Sequence, residues 1–521
     1  MSLQIDRVPR KKVAIIGSGS AGIAALWALN RTHHDAYLFE AANRLGGHTN
    51  TVEWRQSKFK AMVDMGFVVF NTATYPNFVK FLEKMNVPTL KVNEPTRPTE
   101  TILDASSDDG ILQWAWASLK AMLGQGRGLF SLKTWRLIFD IVRFNQFAVD
   151  LLREDDVYGS STISSKTIGD YLYREGYSDT FRDDYLIPLM ASVWCTSPDE
   201  GVLDLPALAF VRFMRNHHLL SSMAEPGWRT LEGGAKSYVD AVMKGFPPNH
   251  LFLKTPVKHL TNDKDGRVRL HLENGKTEVF DHVILATHGD QAYQIIEPSA
   301  TEEEKAIMSA FESVERTCVL HSDVSYMPKR RGAWSSLNSI SLSSPWVHRD
   351  VAGKSLTYNL NNLQHIPRRT FGDILVTLNP IRQPRPETVQ GRYSYAHPVY
   401  DSATVRAQKA LPRIQNTRGI SYAGAWTRYG SHEDGFTSGL YVAKAHLGAR
   451  LPFELVDSAS GQGEHKLGLL DLFLRAIILL IQVFVIDFFG RVLKGSRILK
   501  GPTVKPLVYA NGNANGKKSY W

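Results

Sequence analysis

Cysteine is nearly absent. The 521-residue chain carries two, Cys195 and Cys318, far apart and in no metal-type spacing. That excludes a disulfide scaffold and a cysteine-based zinc site, and it suits a reducing compartment. No metal site is assigned elsewhere. No signal peptide is expected: residues 1–12 are polar and basic, and the apolar run after them holds Gly-Ser-Gly-Ser-Ala-Gly with no cleavage-type ending. Synthesis and folding in the cytosol, without secretion, are expected. Acidic residues vanish after Asp487, while Arg491, Lys494, Arg497, Lys500, Lys505, Lys517 and Lys518 follow. Those seven cations leave only +3 of the formal +10 for the first 487 residues. A nucleic-acid binder more often spreads basic groups over a folded face, so no nucleic-acid partner is expected. A basic tail directly behind an apolar segment points instead to an anionic membrane surface, the alternative being a solvated tail.

What is present is ordinary for a folded protein: 43% hydrophobic and 21% charged residues rule out a mainly disordered chain or a simple fibre. The length exceeds what one core needs, so two or more domains are expected. Near the N-terminus, Val13-Ala-Ile-Ile16 reads as a strand and stops at Gly17-Ser-Gly-Ser20-Ala21-Gly22. A helix-like stretch to Leu29, a second strand at Ala36–Phe39 and then Glu40 complete the pattern. A lone GxGxxG is weak, but strand, glycine turn, helix, strand and acid together specify a dinucleotide fold. Gly17 permits the tight turn, Gly19 lets backbone approach a pyrophosphate, and Gly22 allows close helix–strand packing. The helix N-terminus, with Ser20 and Ala21 in its first turn, offers free N–H groups to phosphate. Glu40 lies where a carboxylate accepts hydrogen bonds from an adenosine ribose, and it would repel a 2′-phosphate.

Glu40 is followed by Arg44-Leu-Gly46-Gly47-His48 and by Val63-Asp-Met-Gly66-Phe67. This ExxxRxGG continuation resembles the flavin-containing amine oxidoreductase superfamily. Two distant pieces agree with it. Thr255-Pro-Val257 opens a β-rich stretch with Asp265-Gly266 and Asn274-Gly275 turns, ending in 281–287 as a returning strand. Near the C-terminus, Ile420–Gly424 leads to Gly430-Ser-His432-Glu433-Asp434-Gly435 and a helix over about 436–447.

The resemblance implies FAD as a non-covalent cofactor. Arg44, Gly46, Gly47 and His48 would face the diphosphate, Gly66 and Phe67 the flavin ring, and Val257 the adenine. Gly424, Asp434 and Gly435 would stand at the pyrimidine and ribityl end, where a helix dipole can stabilise an anionic reduced flavin. The implied fold is α/β: a Rossmann-like FAD domain in three pieces (1–75, 225–290 and 415–450). An α+β substrate domain is inserted as 76–224 and 291–414, and 451–521 forms a membrane-associated helix with a basic tail. Residues 69–76, 228–234, 395–398, 424–427 and 432–435 further resemble a branch described as predicted NAD/FAD-binding proteins. That branch is associated with unsaturated fatty acids.

Flavin chemistry asks little of side chains, and no catalytic triad or carboxylate pair stands out. His432 is the candidate to take or relay a proton, and Asp434 the candidate for the ribityl chain. The alternative for His432, Glu433 and Asp434 is cofactor holding or helix N-capping. His397, with Tyr395, is the candidate from the substrate domain. Trp334, Tyr358 and Trp426 are candidate flavin walls, core packing being the alternative. The chain departs from amine-oxidising members: Ala425-Trp426 follow Gly424 where those usually carry an acid, and His48 replaces an arginine.

Two apolar segments remain. Residues 111–153 interleave Trp114, Trp135, Phe139 and Phe147 with Lys120, Arg136 and Arg143, read as a helix pair forming core or a lipid-facing entry. Residues 467–493 contain Asp471, Arg475, Asp487 and Arg491, leaving 476–486 as the longest charge-free run. That is short of the roughly 20 residues a simple span needs. The spacing predicts i,i+4 pairs, Asp471 with Arg475 and Asp487 with Arg491, on a helix lying in a membrane interface.

The expected protein is an FAD oxidoreductase on a cytoplasmic membrane or lipid surface. It would move a hydride between flavin and an apolar substrate, an unsaturated fatty acyl chain above all, by desaturation, reduction or double-bond isomerisation. The electron acceptor stays open. The competing readings are an oxygen-dependent oxidase of an amine or secondary metabolite, and a flavin-bound membrane scaffold without turnover.

Overall fold

The computed structural model describes residues 9–92, 104–107, 112–115, 132–153, 167–187, 189–190, 202–216, 219–220, 227–328, 331, 334, 336–341, 354–457 and 468–487. Cys195 and the basic tail lie outside the described residues.

Val13, Ala14, Ile15 and Ile16 are all buried on Lys12–Ile16 (β1), the pattern of a strand covered on both faces. β1 is the middle of a parallel sheet with Asp35–Phe39 (β2), Leu251–Phe252 (β3), His282–Leu285 (β4) and Ile420–Tyr422 (β5), in the order β3-β2-β1-β4-β5. The order radiates from β1 in both directions, as in doubly wound nucleotide folds, whose ligands sit beyond the strands' C-terminal ends where it reverses. Helix Ser20–Leu29 (α1) is buried at every position after Ser20, so it is an interior helix rather than an amphipathic one. Between β3 and β4, the strands Val257–Asn262, Val268–Leu272 and Thr277–Phe280 form the antiparallel meander that the two Gly turns predict.

Helix Pro76–Met85 (α2) begins with proline, whose missing N–H costs nothing at a helix start. Beyond it the sequence expectation needs a correction. Among the described residues of 111–153, Leu112–Ala115 is not helical but pairs with Asp104–Ser107 as a hairpin, while Leu132–Phe147 (α3) is helical and is extended by a further helical turn at 150–153; residues 116–131 lie outside the described residues. The Asp109-Gly110 turn pair and the short alternating Leu-Gln-Trp-Ala segment carry that hairpin signal. α3 packs with Ile168–Arg174 and Ala207–Asn216 around Phe144, Tyr177, Phe181, Phe210 and Phe213. A five-stranded antiparallel sheet, Leu337–Ser341, Lys354–Asn359, Leu375–Leu378, Ser313–His321 and Val389–Pro398 in that spatial order, forms a second body. It shares its core with Trp54, Val63, Met65 and Val68.

The helix of the final glycine motif is His432–Leu447 (α4), starting four residues before the expected 436. The reason is local. Ser431 and Asp434 form a capping box, each side chain bonding the other's backbone N–H. α4 lies directly on α1. A Cβ on Gly439 would stand 2.0 Å from the Ala21 carbonyl oxygen, and one on Gly435 2.4 Å from Ser20 Oγ. At position 439, against backbone, only glycine permits this approach.

A C-terminal helix, Leu469–Ile481 (α5), continues as a π-turn to Asp487. The expected Asp471–Arg475 pair does not form. Asp471 Oδ2 instead accepts the Gly468 N–H at 2.9 Å, where a carboxylate suits a helix N-terminus. Arg475 turns to the protein body and donates to both Asp150 oxygens at 3.0 and 2.9 Å. The proposed partner of Asp487, Arg491, lies outside the described residues.

Candidate flavin site

The glycine turn closes upon itself at two points and stays open at a third. Gly17 takes φ +99° with its would-be Cβ 2.7 Å from the Ala286 carbonyl oxygen, and a Cβ on Gly22 would stand 1.9 Å from the Gly17 oxygen. At Gly19 an added Cβ meets nothing within 4 Å. Gly19 is also the N-cap of α1, and no side chain caps that helix. Open space therefore faces an unfilled set of first-turn N–H groups at Ser20, Ala21 and Gly22, the arrangement that binds phosphate.

Glu40 stands at the end of β2 and is partly occupied by the protein itself. Its Oε2 accepts from Ser18 N at 2.9 Å and Ser18 Oγ at 2.5 Å, and Oε1 accepts from Ala42 N at 2.8 Å. The carboxylate has lone-pair capacity left for a ribose. Val257 opens the meander beside it, because the Thr255 N–H donates to the Glu40 carbonyl and the Lys254 N–H to that of Ala42. The Arg44–His48 turn lies on the loop: Gly46 N–H donates to the Ser18 carbonyl, and a Cβ on Gly47 would stand 3.1 Å from Gly19 Cα. Arg44 itself is half-buried, making one weak bond to the Leu45 carbonyl at 3.4 Å. Gly66 and Phe67 follow as a second layer, with Phe67 N–H on the His48 carbonyl at 3.1 Å. Gly424 donates its N–H to Ser438 Oγ, joining β5 to α4.

Two polar groups lie further in. His48 sits 5.1 Å from the His397 ring, 5.1 Å from Tyr395 and 5.4 Å from His288, and its Nε2 is buried without a partner among the described residues. Asn50 Nδ2 fixes the Tyr395 hydroxyl at 2.8 Å. The second group is His432, stacked on Phe67 at 3.7 Å and hydrogen-bonded to the Tyr238 hydroxyl at 3.2 Å, which reaches Thr49 at 2.9 Å. Burial pushes His397 down to about 4 and His432 down to about 3. Burial, with His397, His288 and His432 around it, holds His48 well below the ordinary range. These imidazoles are neutral at pH 7.

The two acids of the final motif are engaged elsewhere. Glu433 reaches across to α2, accepting Asn77 N–H at 2.9 Å and Phe78 N–H at 3.0 Å, with Thr437 Oγ1 at 3.1 Å. It thereby caps α2 from a distance of 356 residues in sequence, the separation of Glu433 from Asn77. Burial pushes this carboxyl up to about 8, although its three donors pull it back. Asp434 completes the Ser431 box, and burial raises it as well. Capping is thus what the geometry shows for both.

The aromatic candidates divide. Trp426 is buried, donates to the Thr287 carbonyl and packs on Phe311, so it is a core residue. Trp334 lies between Arg331 and Arg368, each 5.1 Å from its ring. Tyr358 pairs within the antiparallel sheet. Cys318 is buried with its thiol on the Met65 carbonyl. Sequence reasoning missed His288, Tyr238, Thr49 and Asn50. Only His288 carried a signal: it follows β4, at the strand end where such folds bind ligands.

This geometry meets a clear comparison. The flavin containing amine oxidoreductase model matches residues 20–315, more than half of the chain. The chain belongs to that family. It is an FAD-dependent oxidoreductase with an amine-oxidase-like α/β fold. The open Gly19, the uncapped α1 and the unpartnered His48 nitrogen fit FAD as the family's cofactor. A curated Arabidopsis thaliana protein, described as a probable flavin-containing monooxygenase, is 32% identical over 90 residues. That match spans 16% of this chain and only 17% of the relative's length. Among solved structures, a CLA-producing fatty acid isomerase from P. acnes is 14% identical with TM-score 0.57, covering 86% of this chain and 99% of that one. Putrescine oxidase bound to putrescine is 15% identical with TM-score 0.60, covering 85% and 100%. Cyclohexylamine oxidase from Brevibacterium oxydans is 14% identical with TM-score 0.58, covering 84% and 99%. At these identities the likeness is one of fold.

The shifted groups predict an unusual pH response. His397 and His432 stay neutral in the fold but titrate near 6.5 when unfolded, so the unfolded chain binds more protons below pH 6.5 and stability falls with acidity. Glu433 acts oppositely: its folded form holds a proton up to about 8 against 4.5 unfolded, so its contribution falls as pH rises through that window. Thermal unfolding between pH 5 and 9 should therefore show a shallower acid-side loss for His397→Asn and a shallower alkaline-side loss for Glu433→Gln.

Proposed function

We propose that this flavoenzyme transfers a hydride between flavin N5 and an unsaturated fatty acyl chain at a membrane surface. FAD, when bound, supplies the hydride acceptor and donor. The observation that carries the substrate class is the neutrality of the imidazoles and phenols grouped around His48 and His432. His48, His397 and His432 are uncharged at pH 7, Tyr238 and Tyr395 keep their protons, and Glu433 and Asp434 are committed to helix caps. An ammonium group would enter with no free carboxylate among these residues to meet it, at a desolvation cost that an alkyl chain does not have.

On this reading Gly17, Gly19, Ser20, Ala21 and Gly22 hold the diphosphate with Arg44, Gly46 and Gly47, while Glu40 takes the ribose and Val257 the adenine. Gly66, Phe67, Gly424 and Gly435 border the flavin and ribityl end. His432, fixed by Phe67 and Tyr238, is a positioning residue rather than a proton carrier. His397, with His48 beside it, is the group placed to hold or move a proton. Isomerisation is redox-neutral, since the hydride leaves one carbon and returns to another. Desaturation would need a two-electron acceptor such as dioxygen. A related fold belongs to a fatty acid isomerase, whereas putrescine and cyclohexylamine oxidases share it too, so oxidation of an amine or secondary metabolite is the competing reading.

Aerobic incubation of the purified protein with a polyunsaturated fatty acid and, separately, with primary amines tests the proposal. The expected product is an acid of unchanged mass or two mass units lighter, with no peroxide from the amines. Peroxide released on an amine, with the fatty acid untouched, would overturn it.

A further inference from the structure

Outside the flavin site, α5 and its continuation to Ile486 form an 18-residue apolar segment, of mean hydropathy 2.5 and only 11% buried. Its exposure is patterned. Asp471, Leu474, Arg475, Ile478, Gln482 and Ile486 are the less exposed positions, at a helical spacing that puts them on one side, and Ile478 is the one that is buried. Everything else is apolar and open, including Leu472, Phe473, Leu480 and Phe484 at 51–67% exposure. On that side, Arg475 clasps α3 and its extension. Its guanidinium donates to Asp150 and the Gln146 carbonyl and lies 4.8 Å from the Phe147 ring.

A bilayer-crossing helix points away from its soluble body, and this one is tied to it on its side through Arg475, with Ile478 buried one turn further on. Crossing would drag the Arg475–Asp150 ion pair toward hydrocarbon or break it. At 1.5 Å per residue the described segment is about 27 Å long against a hydrocarbon core of about 30 Å, so length and composition alone would allow a crossing, and it is the Arg475 tie that speaks against one. The residues that follow Asp487 bring seven cations and no acid, which complements an anionic lipid surface. The module under the clasp leads to the chemistry: the α3 cluster packs against Tyr429, whose ring lies 5.9 Å from Phe213, and Tyr429 directly precedes the Gly430–Gly435 turn.

We infer that this helix lies flat in the surface of an anionic membrane, held to the α3 module by Arg475, with that module standing between the bilayer and the flavin site. The inference rests on the membrane half of the proposed function and is independent of the acyl chemistry.

Flotation of the full-length holoprotein with phosphatidylcholine vesicles, with and without phosphatidylserine, tests it. Binding should require the anionic lipid, weaken with salt, and fall about tenfold or more in the Leu472→Asp/Phe484→Asp double variant. Bound FAD should be unchanged in that variant, which separates lost docking from lost fold or chemistry. Fluorescent labels at Leu472→Cys, Leu480→Cys and Phe484→Cys, corrected for the parent chain, should be quenched alike by shallow nitroxide lipids. Arg475→Ala should make those depths unequal. Depths that increase steadily along the parent helix would mean a span and overturn the flat arrangement. So would failure to bind any vesicle, or a dimer seen by light scattering that the Asp substitutions abolish, since a second copy would then cover the apolar face.

Discussion

Gly22→Ala should purify as a colourless protein without flavin, whereas Gly19→Ala should fold normally and bind FAD weakly. The contrast follows from two neighbouring spaces. The new methyl at position 22 would lie 1.9 Å from the Gly17 carbonyl oxygen, a backbone atom that cannot rotate aside. Either the turn or α1 must move, and with it the set of N–H groups that faces phosphate. At position 19 the methyl meets no protein atom within 4 Å, so the apoprotein should melt like the parent. It projects where a diphosphate must approach, and the cost appears in affinity alone. Absorbance near the flavin bands, paired with thermal unfolding of the FAD-free proteins, checks both. An equally yellow Gly22→Ala protein would place the cofactor elsewhere.

Glu433→Ala should be the most destabilising single change in the final motif, by about 3 kcal/mol or more. Its carboxyl accepts the buried N–H groups of Asn77 and Phe78, and losing a cap costs about 1 kcal/mol with about 1–3 more for each orphaned donor. The loss falls at a joint, because the Asn77 side chain also bonds Thr437 and both backbone groups of Val456. α2, α4 and the chain after α4 thus meet at one carboxyl and one amide. Glu433→Gln retains one acceptor oxygen and should lose about 1 kcal/mol. Chemical denaturation of the FAD-loaded proteins measures both. A neutral Glu433→Ala would show that water can replace the cap.

The glycine turn, Glu40, the Arg44–His48 continuation and the final helix were legible because each depends on backbone requirements that only certain residues satisfy. Gly17 must adopt positive φ, and Gly435 must admit Ser20. The DG and NG pairs of the meander are legible for the same reason. What sequence could not reveal is which distant side chains meet. Glu433 reads equally well as a cofactor ligand or a cap until α2 is placed against it, and Tyr238 sits in a short helix with no motif around it. Spacing alone also misassigned Arg475. An i,i+4 relation to Asp471 puts both on one face, but Asp150 offers a two-oxygen partner while the helix N-terminus claims Asp471. The Asp104–Ala115 hairpin was overlooked although the sequence offers an Asp-Gly pair between its strands, because the apolar and aromatic content of the stretch suits a helix as well.

The central claim is that a neutral, FAD-holding site acts on an unsaturated acyl chain. Its most direct test is an anaerobic absorbance titration of the detergent-purified protein with a polyunsaturated fatty acid, following the flavin band and the conjugated-diene band together. The account predicts a response in at least one: diene growth with the flavin still oxidised if the double bond is moved, or lasting bleaching of the flavin if the chain is desaturated. Two silent bands, with bleaching by an amine under the same conditions, would contradict it.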